Sequence, residues 1–170
     1  MKILFEKTKI LLDELSHVFQ YLSDEEFTIK IALLNQVTIG QHTRHILEFF
    51  TCLISSKETK MLDYDLRKRN VLIENNKSVA LDTVDYILEN IDIIENINLQ
   101  LSQSYNFGKQ TIDTSIETTY FREWVYNIEH TIHHQAIMRI AIADLLPNFK
   151  IPATFGVADS TINYKKQCVH

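Results

Sequence analysis

Five of the seven histidines in this chain fall in two short windows, Gly40-Gln41-His42-Thr43-Arg44-His45 and Glu129-His130-Thr131-Ile132-His133-His134. His130 and His134 stand at i and i+4, so on a helix both imidazoles project from one face. Two rings so placed can share one metal ion. The first window would supply a third ligand from a neighbouring helix, and by residue spacing alone His42 and His45 serve equally well. Three neutral imidazoles leave positions open on a divalent ion, and an open position is where chemistry happens. His133 lies i+3 from His130 but points about 100° away from His134, which makes it a supporting neighbour or alternative ligand.

The known protease pattern does not fit. It places a glutamate directly after the first histidine, as His-Glu-x-x-His; here Thr131 stands there and Glu129 precedes. Glu129 is expected at the surface or behind a ligand. Arg44 should point away from the rings, toward solvent or an acidic partner. Cys52 reads as a small core residue. Cys168 and His170 sit near the end of the sequence.

The elements that would position these groups follow from hydropathy. A length of 170 residues with 45% hydrophobic content suits one globular domain over 1–170. Three glycines and two prolines are few, which favours long helices over short strands. Apolar spacing predicts helices over 2–22, about 38–55, about 78–98 and about 119–145, the last stopped by Pro147. Ser23-Asp24-Glu25-Glu26 and Thr38-Ile39-Gly40-Gln41 carry the capping-box pattern. The second helix would turn Ile39, His42, Ile46, Phe49 and Leu53 inward, with His45 and Cys52 flanking. In the fourth, Tyr126, His130, His134, Ile137 and Ala141 share a stripe, and Phe121 and Trp124 read as core.

The charged stretch 56–77 is a long crossover between helices 2 and 3, the kind of connection that often carries function. Its Tyr64, Asp65, Arg67 and Arg69 would either be solvated or form a lid over the open metal position. Residues 99–117, with Gly108 and the alternating Thr111-Ile112-Asp113-Thr114, read as a loop or small hairpin. The tail 148–170 should pack across the helices. The fold expected is therefore all-α, a four-helix bundle with a long crossover between helices 2 and 3. Such bundles build metal sites in their cores.

Composition excludes several partners. A net charge of −5 with no basic patch argues against nucleic acid. No apolar run approaches the roughly 18–20 residues of a membrane span, and the charges in the first seven residues come too early for a signal peptide. Two cysteines far apart, outside any CxxC pair, fit a reducing compartment, so a cytoplasmic location is expected. Exposed helix faces leave room for a homodimer.

A histidine on the second helix followed by His130-Thr131-Ile132-His133-His134-Gln135 late in the fourth, with a long crossover between, resembles the DinB/YfiT-like superfamily of four-helix metalloproteins. That family's late pattern usually reads His-Glu-x-His-His-Arg-Gly-Gln; the histidines spaced by four are kept here, whereas the Glu, Arg and Gly positions differ. The family's first ligand falls seven residues after the start of the second helix, before Ile or Leu. Thr38 plus seven is His45, followed by Ile46, so the resemblance selects His45 over His42. The segments 63–69 and 155–164 also look like a bacterial subgroup of DinB-like proteins.

The resemblance implies a divalent ion, zinc or nickel, held by His45, His130 and His134. It further implies, for some relatives, transfer of a low-molecular-weight thiol such as mycothiol or bacillithiol to a small-molecule substrate. A metal-binding stress-response protein without catalysis and a metal-dependent hydrolase are the alternatives. The hydrolase lacks a clear general base near the ligands.

Overall fold

The computed structural model describes residues 2–91 and 95–168. Its elements in chain order are α1 (Lys2–Tyr21), α2 (Asp24–Thr28), a 3-10 turn (Ala32–Leu34), α3 (Ile39–Thr59), β1 (Met61–Asp63), α4 (Val71–Asn75), α5 (Lys77–Glu89), β2 (Asn98–Asn106), β3 (Thr111–Thr119), α6 (Tyr120–Leu145) and α7 (Asp159–Gln167).

The all-α expectation is corrected by a three-stranded sheet in the order β1-β2-β3. β1 pairs with β2 in parallel, Leu62 opposite Leu101, and β2 pairs with β3 in antiparallel register from Asn98↔Thr119 to Asn106↔Thr111. The sheet exists because residues 98–119 alternate. Leu62, Leu99 and Leu101 turn into the core, while Met61 and Asn98 are exposed and Asp63, Gln100 and Ser102 partly so. The third helix is likewise shorter than 78–98. It ends at Glu89 with Asn90 as its cap, and Asn98 already belongs to β2. Residues 92–94 of the expected span lie outside the described residues.

The crossover 56–77 is also more ordered than a loop. It holds the last turn of α3, then β1 and α4, before α5 begins at Lys77. Gly40 explains how α4 lies so close to α3. A Cβ at that position would sit 2.0 Å from the Glu74 carbonyl oxygen and 2.9 Å from the Phe27 ring, so no side chain fits without moving the backbone.

Around the sheet, α1, α3, α5 and α6 pack against one another. Leu11, Leu12, Leu15, Val18 and Phe19 of α1 meet Leu47, Phe50 and Leu53 of α3 and Trp124, Ile128 and Met138 of α6 in a continuous apolar core. Burying a side chain of this size stabilises by about 1.5–3 kcal/mol. The indole Nε1 of buried Trp124 donates to Thr8 Oγ1 at 2.7 Å, which satisfies the one polar atom the ring brings inside.

Both capping boxes form. Ser23 with Glu26 opens α2, and Thr38 with Gln41 opens α3. Thr119 ends β3 and caps α6 by accepting from the Arg122 backbone N–H, so the hairpin feeds directly into the second histidine helix. The tail crosses α1 and α6 as expected: Phe155 is fully buried, Arg139 donates to the Pro152 and Phe155 carbonyls, and Lys7 pairs with Asp159 at 2.7 Å. No described helix is long and apolar enough to cross a membrane.

Candidate metal centre

The cap at Thr38 sets the phase of α3. His42 and His45 then fall on neighbouring turns of the face that meets α6, and Ile46, Phe49 and Phe50 bury beside them. From α6, His130 and His134 point back at α3. One ring nitrogen from each of His45, His130 and His134 lies within 4.8 Å of the other two. His45 Nε2 and His130 Nε2 are 2.8 Å apart, and the His134 ring centroid is 4.6 Å from that of His45 and 4.5 Å from that of His130.

His42 stands behind this group. Its Nδ1 lies 2.9 Å from His134 Nδ1, a hydrogen bond in which one ring donates and the other accepts. With the proton on His134 Nδ1, its Nε2 lone pair is free toward the other two rings, an arrangement found behind metal-binding imidazoles. His133 is exposed, its ring 5.2 Å from that of His134, edge-on. Glu129 is exposed as well.

Burial keeps these rings neutral. Loss of water, reinforced by neighbouring positive groups, holds His45 and His134 down at about 3 and His130 at about 4, and it lowers His42 too. A neutral imidazole is the form that binds a metal.

The segment expected as a lid reaches the site through two residues. Arg67 Nη2 donates to His45 Nδ1 at 3.1 Å, its Nη1 to the Tyr64 carbonyl at 2.8 Å, and its Nε to Glu48 Oε2 at 3.2 Å. Tyr64 stacks on Phe49 with ring centroids 4.6 Å apart and planes at 8°; Phe49 in turn stacks on His130, also at 4.6 Å. Tyr126 lies beside Phe49, 6.3 Å from it, and stacks against His130 at 5.5 Å. Asp65 turns instead to the hairpin, where its Oδ2 accepts from the Ser104 backbone N–H. Arg69 is exposed.

Two buried carboxylates frame the site, and neither was anticipated. Glu48, 2% exposed, accepts from Arg67 and from the Asn70 backbone N–H, and Arg44 Nε lies 3.7 Å away. Arg44 itself pairs with Glu74 at 2.7 Å, the acidic partner expected of it. Glu123, 3% exposed, accepts from Tyr64 Oη at 3.2 Å and from Thr118 Oγ1 at 2.7 Å, tying the crossover and the hairpin to α6. Burial and the neighbouring Glu123 push the Tyr64 hydroxyl well above its ordinary value. The available signal was an acid between bulky apolar residues, in Ile46-Leu47-Glu48-Phe49-Phe50 and, beside Arg122, in Phe121-Arg122-Glu123-Trp124. Cys52 is half-buried, donates to the Asp63 carbonyl at 3.4 Å and has its thiol pushed up by burial, as a packing residue would.

The donor set fits a divalent ion. It consists of three neutral imidazoles converging from two rigid helices, with one of them backed by a fourth histidine. One contact sets a condition on that fit. An arginine only donates, so His45 Nδ1 now accepts and the ring proton sits on Nε2, facing His130. For His45 to offer Nε2 to an ion, that proton must leave and Arg67 must turn to Glu48 and the Tyr64 carbonyl, both of which already hold it.

Comparison with known proteins adds one sequence match. A protein of Rhizopus delemar (strain RA 99-880 / ATCC MYA-4621 / FGSC 9543 / NRRL 43880) described as FK506-binding protein 5 is 30% identical over 119 residues, 66% of this chain. The chain spans 30% of that relative's length. No family model matches the chain, and no solved structure matches it.

Proposed function

We propose that the chain binds a divalent metal ion through His45, His130 and His134, as its resemblance to DinB-like proteins implies, with zinc or nickel as the ion. The observation that carries this reading is the convergence of three ring nitrogens within 4.8 Å, on rings that burial keeps neutral. Imidazole donors suit both ions.

The reaction class this supports best is transfer of a small thiol to an electrophilic small molecule. The bound ion supplies Lewis acidity, which lowers the pKa of a coordinated thiol so that thiolate is available near neutral pH. The protein's own residues do the rest. His42 orients His134, and Phe49, Tyr64 and Tyr126 keep water from one side of the rings. A hydrolase is less well served. It needs a carboxylate free to take a proton from water, whereas Glu48 and Glu123 commit their oxygens to Arg67, Asn70, Tyr64 and Thr118. The competing account is a bundle of histidines that satisfy one another as His45–His130 and His42–His134 pairs, with no metal.

The test is to load the protein with cobalt(II) as a visible probe and titrate a panel of low-molecular-weight thiols. A sulfur-to-cobalt charge-transfer band, followed by conjugate formation with an electrophile, is expected. Cobalt binding with no thiol band would sink the transferase reading and leave metal binding in place.

A further inference from the structure

β3 is an edge strand. Its sequence Thr-Ile-Asp-Thr-Ser-Ile-Glu-Thr-Thr has no lysine, no proline and no bulge to keep the edge from pairing, and its charges are the two acids Asp113 and Glu117. On β2 the Gln100 N–H turns to Lys60 on the β1 side. Even-numbered residues of β2 therefore face β1, and odd-numbered ones face β3. Across the register, Ile112, Thr114, Ile116 and Thr118 of β3 direct their backbone groups to β2. Thr111, Asp113, Ser115, Glu117 and Thr119 direct theirs outward, where no other described strand lies.

Three large apolar side chains on this half of the sheet stand half in water. Ile112 and Ile116 are each 51% exposed and Tyr105, opposite Ile112, 47%; all lie on the face that carries buried Leu101.

We propose that β3 pairs with β3 of a second copy of this chain, antiparallel about a two-fold axis at Thr114, making one six-stranded sheet. The strand's own sequence matches itself in one register. Centring the pair on Thr114 sets Ile112 against Ile116 of the second copy, and Ile116 against Ile112. Asp113 then faces a serine and Glu117 a threonine. A slide of two residues one way opposes Asp113 to Asp113; a slide the other way opposes it to Glu117, and like charges directly across a ladder destabilise it. A longer slide leaves one isoleucine with no strand residue opposite. The Thr114 register alone separates the acids and pairs both isoleucines, and it gives Asp113–Ser115 and Thr111–Glu117 the outward backbone groups a ladder needs.

The register makes a sharp test. In it the two Thr114 residues are a directly opposed, non-hydrogen-bonded pair with Cα atoms about 4.5 Å apart, within reach of a disulfide. Asp113 is displaced from its own copy by two residues, about 8 Å away and out of reach. Thr114→Cys and Asp113→Cys are made in the full chain with exposed Cys168 replaced by serine and treated with a mild oxidant such as diamide. The Thr114 variant should form covalent dimer at least tenfold faster. Ser115→Pro removes an outward N–H and no β2–β3 backbone hydrogen bond, losing across the hairpin only the side-chain bond that Gln100 Nε2 donates to Ser115 Oγ, so it should shift the sedimentation mass from two chains to one. Ile116→Glu should do the same if the proline variant fails to fold. A wild-type chain that sediments as a monomer up to sub-millimolar concentration overturns the proposal. So does a dimer unmoved by both variants, or equal cross-linking at positions 113 and 114.

Discussion

The α3–α6 face and the β2–β3 hairpin depart from the ordinary rule of apolar inside and polar outside in opposite ways. On the helical face, four histidines, Arg67 and two glutamates are drawn into a buried or half-buried position, each tied to another polar group. On the hairpin, Tyr105, Ile112 and Ile116 are left half in water on a strand whose outer edge is open. Burying polar rings costs free energy unless they find partners, and exposing an open apolar edge invites association. The two regions thus differ in kind: the first gathers ring nitrogens that could hold a metal ion, and the second leaves a strand edge open among the described residues.

The largest effect expected from breaking the helical half is at Glu48. Glu48→Ala leaves Arg67 buried without its counter-charge and frees the Asn70 N–H. Removal of one partner from such a pair costs about 3–5 kcal/mol, measurable as a fall in the urea midpoint. The next effect concerns metal affinity. His42→Ala removes the partner of His134 Nδ1 and should weaken binding by about tenfold or more, read by competition with a chelating dye. His133→Ala, an exposed ring, should change it far less.

The pH response follows from the depressed imidazoles. Folded, the rings hold out against protonation down to about 3 or 4; unfolded, they protonate near 6.5. Between those values the unfolded chain binds more protons, so metal-free stability is full above about 6.5 and falls as pH drops toward 4. Urea titrations of the metal-free protein at several pH values should show this slope, and replacing all three rings with glutamine should flatten it. The smallest effect is on the hairpin. Ile112→Thr lies at a half-exposed position and should change single-chain stability by less than about 0.5 kcal/mol, in contrast to Glu48.

The same contrast explains what the sequence revealed. The histidine face was legible because helical periodicity alone brings His130 and His134 together, and because Thr38 and Gln41 fix where α3 starts. That His42 would lean on His134 while His45 faces His130 depends on how two helices pack, which spacing does not encode. The hairpin was half legible. Thr111–Thr114 alternates, but β2 buries only its first residues, so its pattern is weak, and the apolar Ile91 and Ile97 extend the helical period of α5 past its end. β1 was invisible: three residues within a charged stretch form a strand only because Leu62 finds Leu101 far along the chain. Glu48 and Glu123 were hidden for a related reason, since their partners Arg67, Tyr64 and Thr118 come from other segments.

Metal content per chain decides whether His45, His130 and His134 hold an ion. Wild-type protein and the His130→Ala/His134→Ala variant are purified identically and analysed for metals per chain. The wild type should carry about one zinc or nickel per chain and the variant almost none, with folding checked by circular dichroism. Equal metal content in the two proteins, or none in either after exposure to both ions, would contradict it.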